Sequence, residues 1–231
     1  MEIIQCDNVN LSKNGQSLLQ HISFEVRQGE LVGITGPSGS GKTSLLRMIN
    51  LLHSPTAGTI RYKGKDIMDY DPMQLRREVG YLLQKPYLFE GTVRDNLAYP
   101  YFIRQQTPNE TEITAYLTQV NLPTTILEKH GSEMSGGEQQ RIALVRSLLA
   151  KPEVLLLDEI SAALDEENTL IIERLIQTER QAKNTTVLFI SHNTEQLRRL
   201  AEKVFYLEQG QLRFKGPAPE FFLTRGGLKN E

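Results

Sequence analysis

The chain has 231 residues, 39% hydrophobic and 23% charged, with a formal net charge of −2 and one cysteine, Cys6. That length allows one large domain or two intimate lobes. The single cysteine excludes an internal disulfide, and without a basic stripe no nucleic-acid partner is expected. No run approaches the roughly 20 apolar residues that span a bilayer, and "MEIIQCDNVN" lacks the basic and apolar regions of a signal peptide, so a reduced, cytoplasmic setting is expected, with any membrane tie made through a partner.

In chain order, residues 1–30 read as short strands with turn chemistry at "NGQ" (14–16) and "RQGE" (27–30). "ELVGIT" (30–35) is a short apolar run ending in a glycine-rich loop, the pattern of a buried parallel strand. "KTSLLRMINLL" has helical spacing, "GTIRYKGKDI" reads as a hairpin turning near Lys63-Gly64, and "EVGYLLQ" (78–84) as another buried strand. From about 90 to 150 the pattern is helical, with "EITAYLTQV" and "QQRIALVRSLLA" on a 3.6-residue period. Strand signals return at "EVLLLDE" (153–159) and "TTVLFISH" (185–192), with a helix expected from roughly Glu166 to Lys183 between them. "KVFYLEQGQLRFKG" closes the chain's regular pattern as a hairpin. Alternation of strand and helix predicts a mostly parallel α/β sheet with crossover helices. The helical stretch carries no strand signal and is expected to pack beside that sheet.

"GPSGSGKT", Gly36 to Thr43, fits G-x-x-x-x-G-K-[ST] between a predicted strand and a predicted helix. Glycines let successive backbone N–H groups turn toward phosphate, and the helix N-terminus adds its positive end. Lys42 would reach the outer phosphates and Thr43 would place its hydroxyl on Mg²⁺. "EVLLLDE" carries Asp158 to the C-terminal sheet edge, where it would hold Mg²⁺, with Glu159 next to it as a candidate general base. Gln84 ends one apolar strand and could meet Mg²⁺ or the attacking water. His192 ends another and could hydrogen-bond the γ-phosphate. Taken singly, each of these two is also an ordinary polar strand end. His21, His53 and His130 sit in turn or loop contexts and carry no such signal.

"EMSGGEQQR" (133–141) holds a capping box, Ser135 with Glu138, ahead of a helix. With Glu138 folded onto the Ser135 N–H, the N–H groups of Gly136 and Gly137 and the serine hydroxyl are expected to face outward as a second anion grip. Locally this is also an ordinary capped helix start.

Together, "GPSGSGKT", Gln84, "MSGGEQQR", "VLLLDE", "SAALD" with Asp165, and His192 resemble the nucleotide-binding subunit of ATP-binding cassette (ABC) proteins, in order and approximate spacing along essentially the whole chain. The resemblance implies a P-loop NTPase (RecA-like) fold. Residues 1–84 and 151–231 would form a mostly parallel core with an antiparallel β subdomain, and 85–150 an inserted α-helical subdomain carrying the signature. It implies that Gly36, Pro37, Ser38, Gly39, Ser40, Gly41, Lys42, Thr43 and Ser44 bind ATP, and that Thr43, Gln84 and Asp158 hold Mg²⁺. Glu159, His192, Lys42 and Gln84 would serve the hydrolysis. Two copies would pair head to tail, so that Ser135, Gly136, Gly137 and Glu138 of one face the ATP of the other, with Asp165 at the interface. The helical part would dock a transmembrane permease at the cytoplasmic face of the membrane, with Gln84 as hinge.

The chain departs from the family pattern at Met134, at Glu138 where glutamine is commoner, at "ISAAL", and at "LSKN" (11–14), which offers no aromatic to stack on adenine. Leu11 or Lys13 is the expected substitute. "LFEGTVRDNL" is closer to the exporter pattern, and "TVRDNLAYPYFIR" with "LLLDEISAALDE" is similar to small bacterial ATPases assigned to metal export, iron among them. Phosphate or amino-acid import, and ABC ATPases acting on ribosomes or DNA, stand as alternatives.

Overall fold

The structure is a computed structural model that describes residues 1–160 and 164–224. Strand β1 (Glu2–Lys13) turns at Asn14-Gly15 into β2 (Gln16–Arg27), and both turn residues have positive φ. That is the hairpin geometry that matches the right-handed twist of strands. Strand β3 (Leu31–Thr35) leads through a glycine-rich loop into helix α1 (Lys42–Ile49). Strands β4 (Ala57–Tyr62) and β5 (Lys65–Asp66) form the hairpin at Lys63-Gly64, followed by α2 (Pro72–Glu78) and β6 (Val79–Leu82).

Helices α3 (Val93–Ile103), α4 (Glu110–Gln119) and α5 (Gly136–Leu149) come next. Then follow β7 (Val154–Asp158), α6 (Glu166–Lys183), β8 (Thr186–Ile190) and α7 (Thr194–Leu200). The last elements are β9 (Lys203–Glu208), β10 (Gln211–Pro217) and α8 (Ala218–Thr224).

Two sheets result. An antiparallel sheet runs β2-β1-β4-β5, and a six-stranded sheet runs β10-β9-β3-β8-β7-β6 with all pairs parallel except β10 to β9. The parallel strands are buried on both faces, and their side chains alternate between two cores. Leu155, Leu157, Val187 and Phe189 join one core with residues of α3 to α6, while Leu156, Leu188, Val32 and Ile34 join the other. Helix α1 lies in this second core: Leu45, Leu46, Met48 and Ile49 pack with Val9, Leu19, Ile22 and Ile60 of the antiparallel sheet. All four are 0% exposed, each contributing about 1.5–3 kcal/mol. Helix α1 is therefore held from both sides.

The α/β fold expected from the sequence is borne out, and α6 keeps its expected bounds, capped by Asp165 at its start and by left-handed Asn184 at its end. Three details differ. The "short strands" of residues 1–30 are two 12-residue strands, because β1 absorbs its polar stretch in bulges rather than breaking there. Strands β6 and β8 stop at Leu82 and Ile190, so Gln84 and His192 lie just past the strand ends, in loops. Helices α2, α7 and α8 have seven residues each, too few for an apolar period to register. Among the described residues no helix is long and apolar enough to cross a membrane.

Candidate active site

The C-terminal ends of β3, β6, β7 and β8 meet at one edge of the parallel sheet, where ligands of open α/β sheets bind. The loop after β3 supplies the floor. Gly36 has φ +140°, and a Cβ there would lie 1.9 Å from the Leu207 carbonyl oxygen. Gly41, at φ +101°, caps α1 while pressed against Leu18 and Leu19. At these two positions the close approach of neighbouring groups and the backbone angle both require glycine. Lys42, 5% exposed, donates from Nζ to the carbonyls of Gly36 and Pro37, at 2.9 Å each. Burial holds its ammonium below the usual lysine range, while Glu159 and then Asp158 pull it back up. Ser40 is buried, and its Oγ has no hydrogen-bond partner among the described residues.

Asp158 is 3% exposed at the end of β7. The Thr43 hydroxyl donates to its Oδ1 at 3.0 Å, and the Tyr81 hydroxyl donates to its Oδ2 at 2.6 Å. Burial pushes the Tyr81 phenol above the ordinary tyrosine range, the Asp158 bond adds to that, and nearby Arg47 opposes it. A hydroxyl beside one carboxylate is a hard-oxygen donor set. It fits Mg²⁺, which takes one or two carboxylates and fills its remaining positions with water and phosphate oxygens. No group of three or more His, Cys, Asp or Glu suited to a metal occurs among the described residues.

Glu159 has φ +51°, a left-handed conformation uncommon outside glycine and asparagine. The turn aims its carboxylate across the cleft. Gln84 Nε2 donates to Oε2 at 2.8 Å, and His192 Nε2 lies 3.0 Å from Oε1. Gln84 is therefore tied to Glu159 rather than to the Thr43–Asp158 pair. The cleft is lined by Leu18, Ser38, Gly39, Gly41, Lys42, Thr43, Ser44, Gln84, Glu159 and His192.

Ser135 caps α5 with the expected box: its Oγ accepts from the Glu138 N–H, and its own N–H donates to Glu138 Oε2 at 2.9 Å. The serine hydroxyl, however, does not face freely outward. It donates to the same Oε2 at 2.8 Å, because a carboxylate oxygen can take both protons. These bonds, the side-chain one first, hold the Glu138 carboxyl below its usual range. Gly136 faces open space where a Cβ would stand, and Gly137 lies beside Leu164. Asp165 caps α6, accepting from the Asn168 N–H at 2.7 Å. Of "SAALD", residues 161–163 lie outside the described residues.

A model of the ABC transporter family matches residues 19–162. The chain belongs to that family. "Probable iron export ATP-binding protein FetA" of Escherichia coli (strain K12) is 40% identical over 206 residues, covering 89% of this chain and 91% of that one. "Phosphate import ATP-binding protein PstB" of Saccharolobus solfataricus is 34% identical over 237 residues, covering 96% and 91%. The "Dimeric Structure of MJ0796, a Bacterial ABC Transporter Cassette" superposes with a TM-score of 0.84 at 25% identity, covering 94% of this chain and 99% of that one. As an ABC ATPase the chain binds and hydrolyses ATP, as its motifs implied.

The fold thus brings Ser38, Gly39, Gly41, Lys42, Thr43, Ser44, Gln84, Glu159 and His192 of this ABC ATPase to one cleft, with Asp158 under Thr43. Ser135, Gly136, Gly137, Glu138 and Asp165 do not line that cleft. Leu11 cannot meet a base there, since it is 6% exposed in the core with α1. Lys13 is exposed, and Leu18 lines the cleft in a role the sequence did not signal. Tyr81 was also missed. Its one sequence cue is a hydroxyl-bearing side chain inside the apolar run "VGYLL".

Proposed function

We propose that this chain powers a separate membrane permease by hydrolysing ATP between two copies of itself. The observation that carries this reading is the carboxylate of Glu159, held at one oxygen by Gln84 and beside His192 at the other, in the cleft that Lys42 and Thr43 also line. In the proposed mechanism Glu159 takes a proton from the attacking water. Lys42 and His192 neutralise charge on the γ-phosphate, and the loop from Gly36 to Ser44 wraps the phosphates with N–H groups. Thr43 and Asp158 would hold Mg²⁺, which when bound supplies charge to the phosphate oxygens, and Gln84 would join them when it leaves Glu159.

The grip formed by Ser135, Gly136 and Gly137 stands apart from its own chain's cleft, which favours its use on a second copy's ATP. The dimeric MJ0796 cassette supports the same reading. Residues 85–150 form the lobe that docks the permease at the cytoplasmic face of the membrane. Glu159→Gln should give an ATP-stabilised dimer with almost no turnover. Normal hydrolysis by that variant would remove Glu159 from the role of base.

For cargo, metal export with iron as the substrate is the reading favoured by the "LFEGTVRDNL" run and by the iron-export relative. A second reading, phosphate import, rests on the phosphate-import relative. Deleting the chain should raise cell iron after an iron challenge. Unchanged iron together with lost phosphate uptake would select the second reading.

A further inference from the structure

Asp158 is read above as the carboxylate that holds Mg²⁺, and the structure shows what orients that carboxylate. Its two oxygens are held from different elements. Oδ1 takes the hydroxyl of Thr43, from α1, and Oδ2 takes the hydroxyl of Tyr81, from β6. Strand β6 is the edge partner of β7, with Leu82 paired to Leu157, and so runs beside the residue that it steadies. A buried carboxylate can rotate about its last bond unless both oxygens are engaged. When a cation binds, Thr43 meets it through a lone pair of its oxygen and its proton can stay on Oδ1, so the hold on each carboxylate oxygen persists. Tyr81 supplies the second of the two holds, and without it the carboxylate would pivot about its bond to Thr43.

We propose that Tyr81 is a positioning residue for Asp158, holding its carboxylate plane so that Oδ1 faces the cation site beside Thr43. Tyr81 touches neither ATP nor the cation in this role. It acts through Asp158, in the way that outer partners of metal ligands orient the ligands themselves. The proposal rests on the reading of Asp158 and Thr43 as the Mg²⁺ pair. It also ties the cation site to the strand that leads to Gln84, two residues past the end of β6. A shift of β6 would therefore reach both the hinge glutamine and the metal ligand.

The test uses the full chain and Mn²⁺ as a spin-active stand-in for Mg²⁺. Tyr81→Phe keeps the ring and removes the donor. With ATP present and Glu159→Gln in the background to prevent turnover, Tyr81→Phe should weaken Mn²⁺ binding about tenfold by electron paramagnetic resonance, while ATP binding in chelator changes less than about twofold. In the turnover-competent chain, the Mg²⁺ concentration for half-maximal ATPase should rise, with the maximal rate recovered at excess Mg²⁺. A tyrosine that served packing alone would lower melting temperature or ATP binding and leave the Mg²⁺ requirement in place. Unchanged Mn²⁺ affinity in Tyr81→Phe, beside a large loss in Asp158→Asn, overturns the role of Tyr81 and leaves the Asp158 reading standing. Unchanged Mn²⁺ affinity in Asp158→Asn overturns that reading, and the proposal with it.

Discussion

Glu138 stands where its family commonly has glutamine, and the geometry gives that difference a measurable consequence. Its Oε2 holds both the N–H and the hydroxyl of Ser135. Before the serine hydroxyl can turn to a γ-phosphate, its bond to a carboxylate must break. A hydrogen bond to a charged acceptor is worth about 1.5–3 kcal/mol and one to a neutral acceptor about 0.5–1.5 kcal/mol. Glu138→Gln keeps the backbone half of the capping box and lowers this barrier by about 1 kcal/mol per signature. The proposed dimer closes two signatures, so the expected gain is about 2 kcal/mol, or roughly 30-fold in the dimer dissociation constant.

Sedimentation equilibrium with ATP, comparing Glu159→Gln with the Glu138→Gln, Glu159→Gln double variant, reads that number directly. Tighter dimers in the double variant, with equal ATP binding to the monomer, are the expected result. Equal or weaker dimers would show that Glu138 does not compete with phosphate for Ser135. If neither variant dimerises with ATP, the trans role of the signature fails as a whole.

Other outcomes follow from the same geometry. Ser135→Arg should abolish hydrolysis and leave ATP binding to the isolated chain intact; loss of that binding would place the signature's role within its own chain. Gly36→Ala should destabilise the fold more than Gly39→Ala. Both positions have positive φ, a strain of about 1–3 kcal/mol for a residue with a side chain. Only at Gly36 does the new Cβ also run into backbone, the Leu207 carbonyl. Thermal melts of the two variants check the order, and equal melting temperatures would refute the clash.

The motifs were legible because their chemistry is contiguous: a loop between strand and helix, an acid pair at a strand end, a capping box. Strands β3, β7 and β8 were legible because burial on both faces leaves uninterrupted apolar runs. Helix α6 was legible in its approximate span, and the structure shows Asp165 and left-handed Asn184 capping its ends.

What stayed hidden depends on distance or on phase. The bond from Tyr81 to Asp158 joins residues 77 apart in sequence, and no local pattern announces it. Leu11 was misplaced for a reason of phase. Along β1 the buried side chains run Ile3, Ile4 and Cys6, then Val9 and Leu11, with a bulge where Asp7 and Asn8 intervene. That one-residue slip turns Leu11 inward, where simple alternation from Cys6 would have turned it out. The serine hydroxyl escaped because a sequence names the members of a capping box and not how many protons each oxygen takes.

The enclosure of α1 has a mechanical meaning. Its apolar side chains are gripped by one sheet above and another below, which would keep the proposed phosphate seat in place through a cycle of hydrolysis. The rim is held differently. Gln84 and His192 are both exposed, both lie in loops beyond strand ends, and both hold the same carboxylate. If the chain works as proposed, the seat of the phosphate is the fixed part and these two side chains are the movable ones, and a stroke passed to a partner would begin with one of them letting go of Glu159.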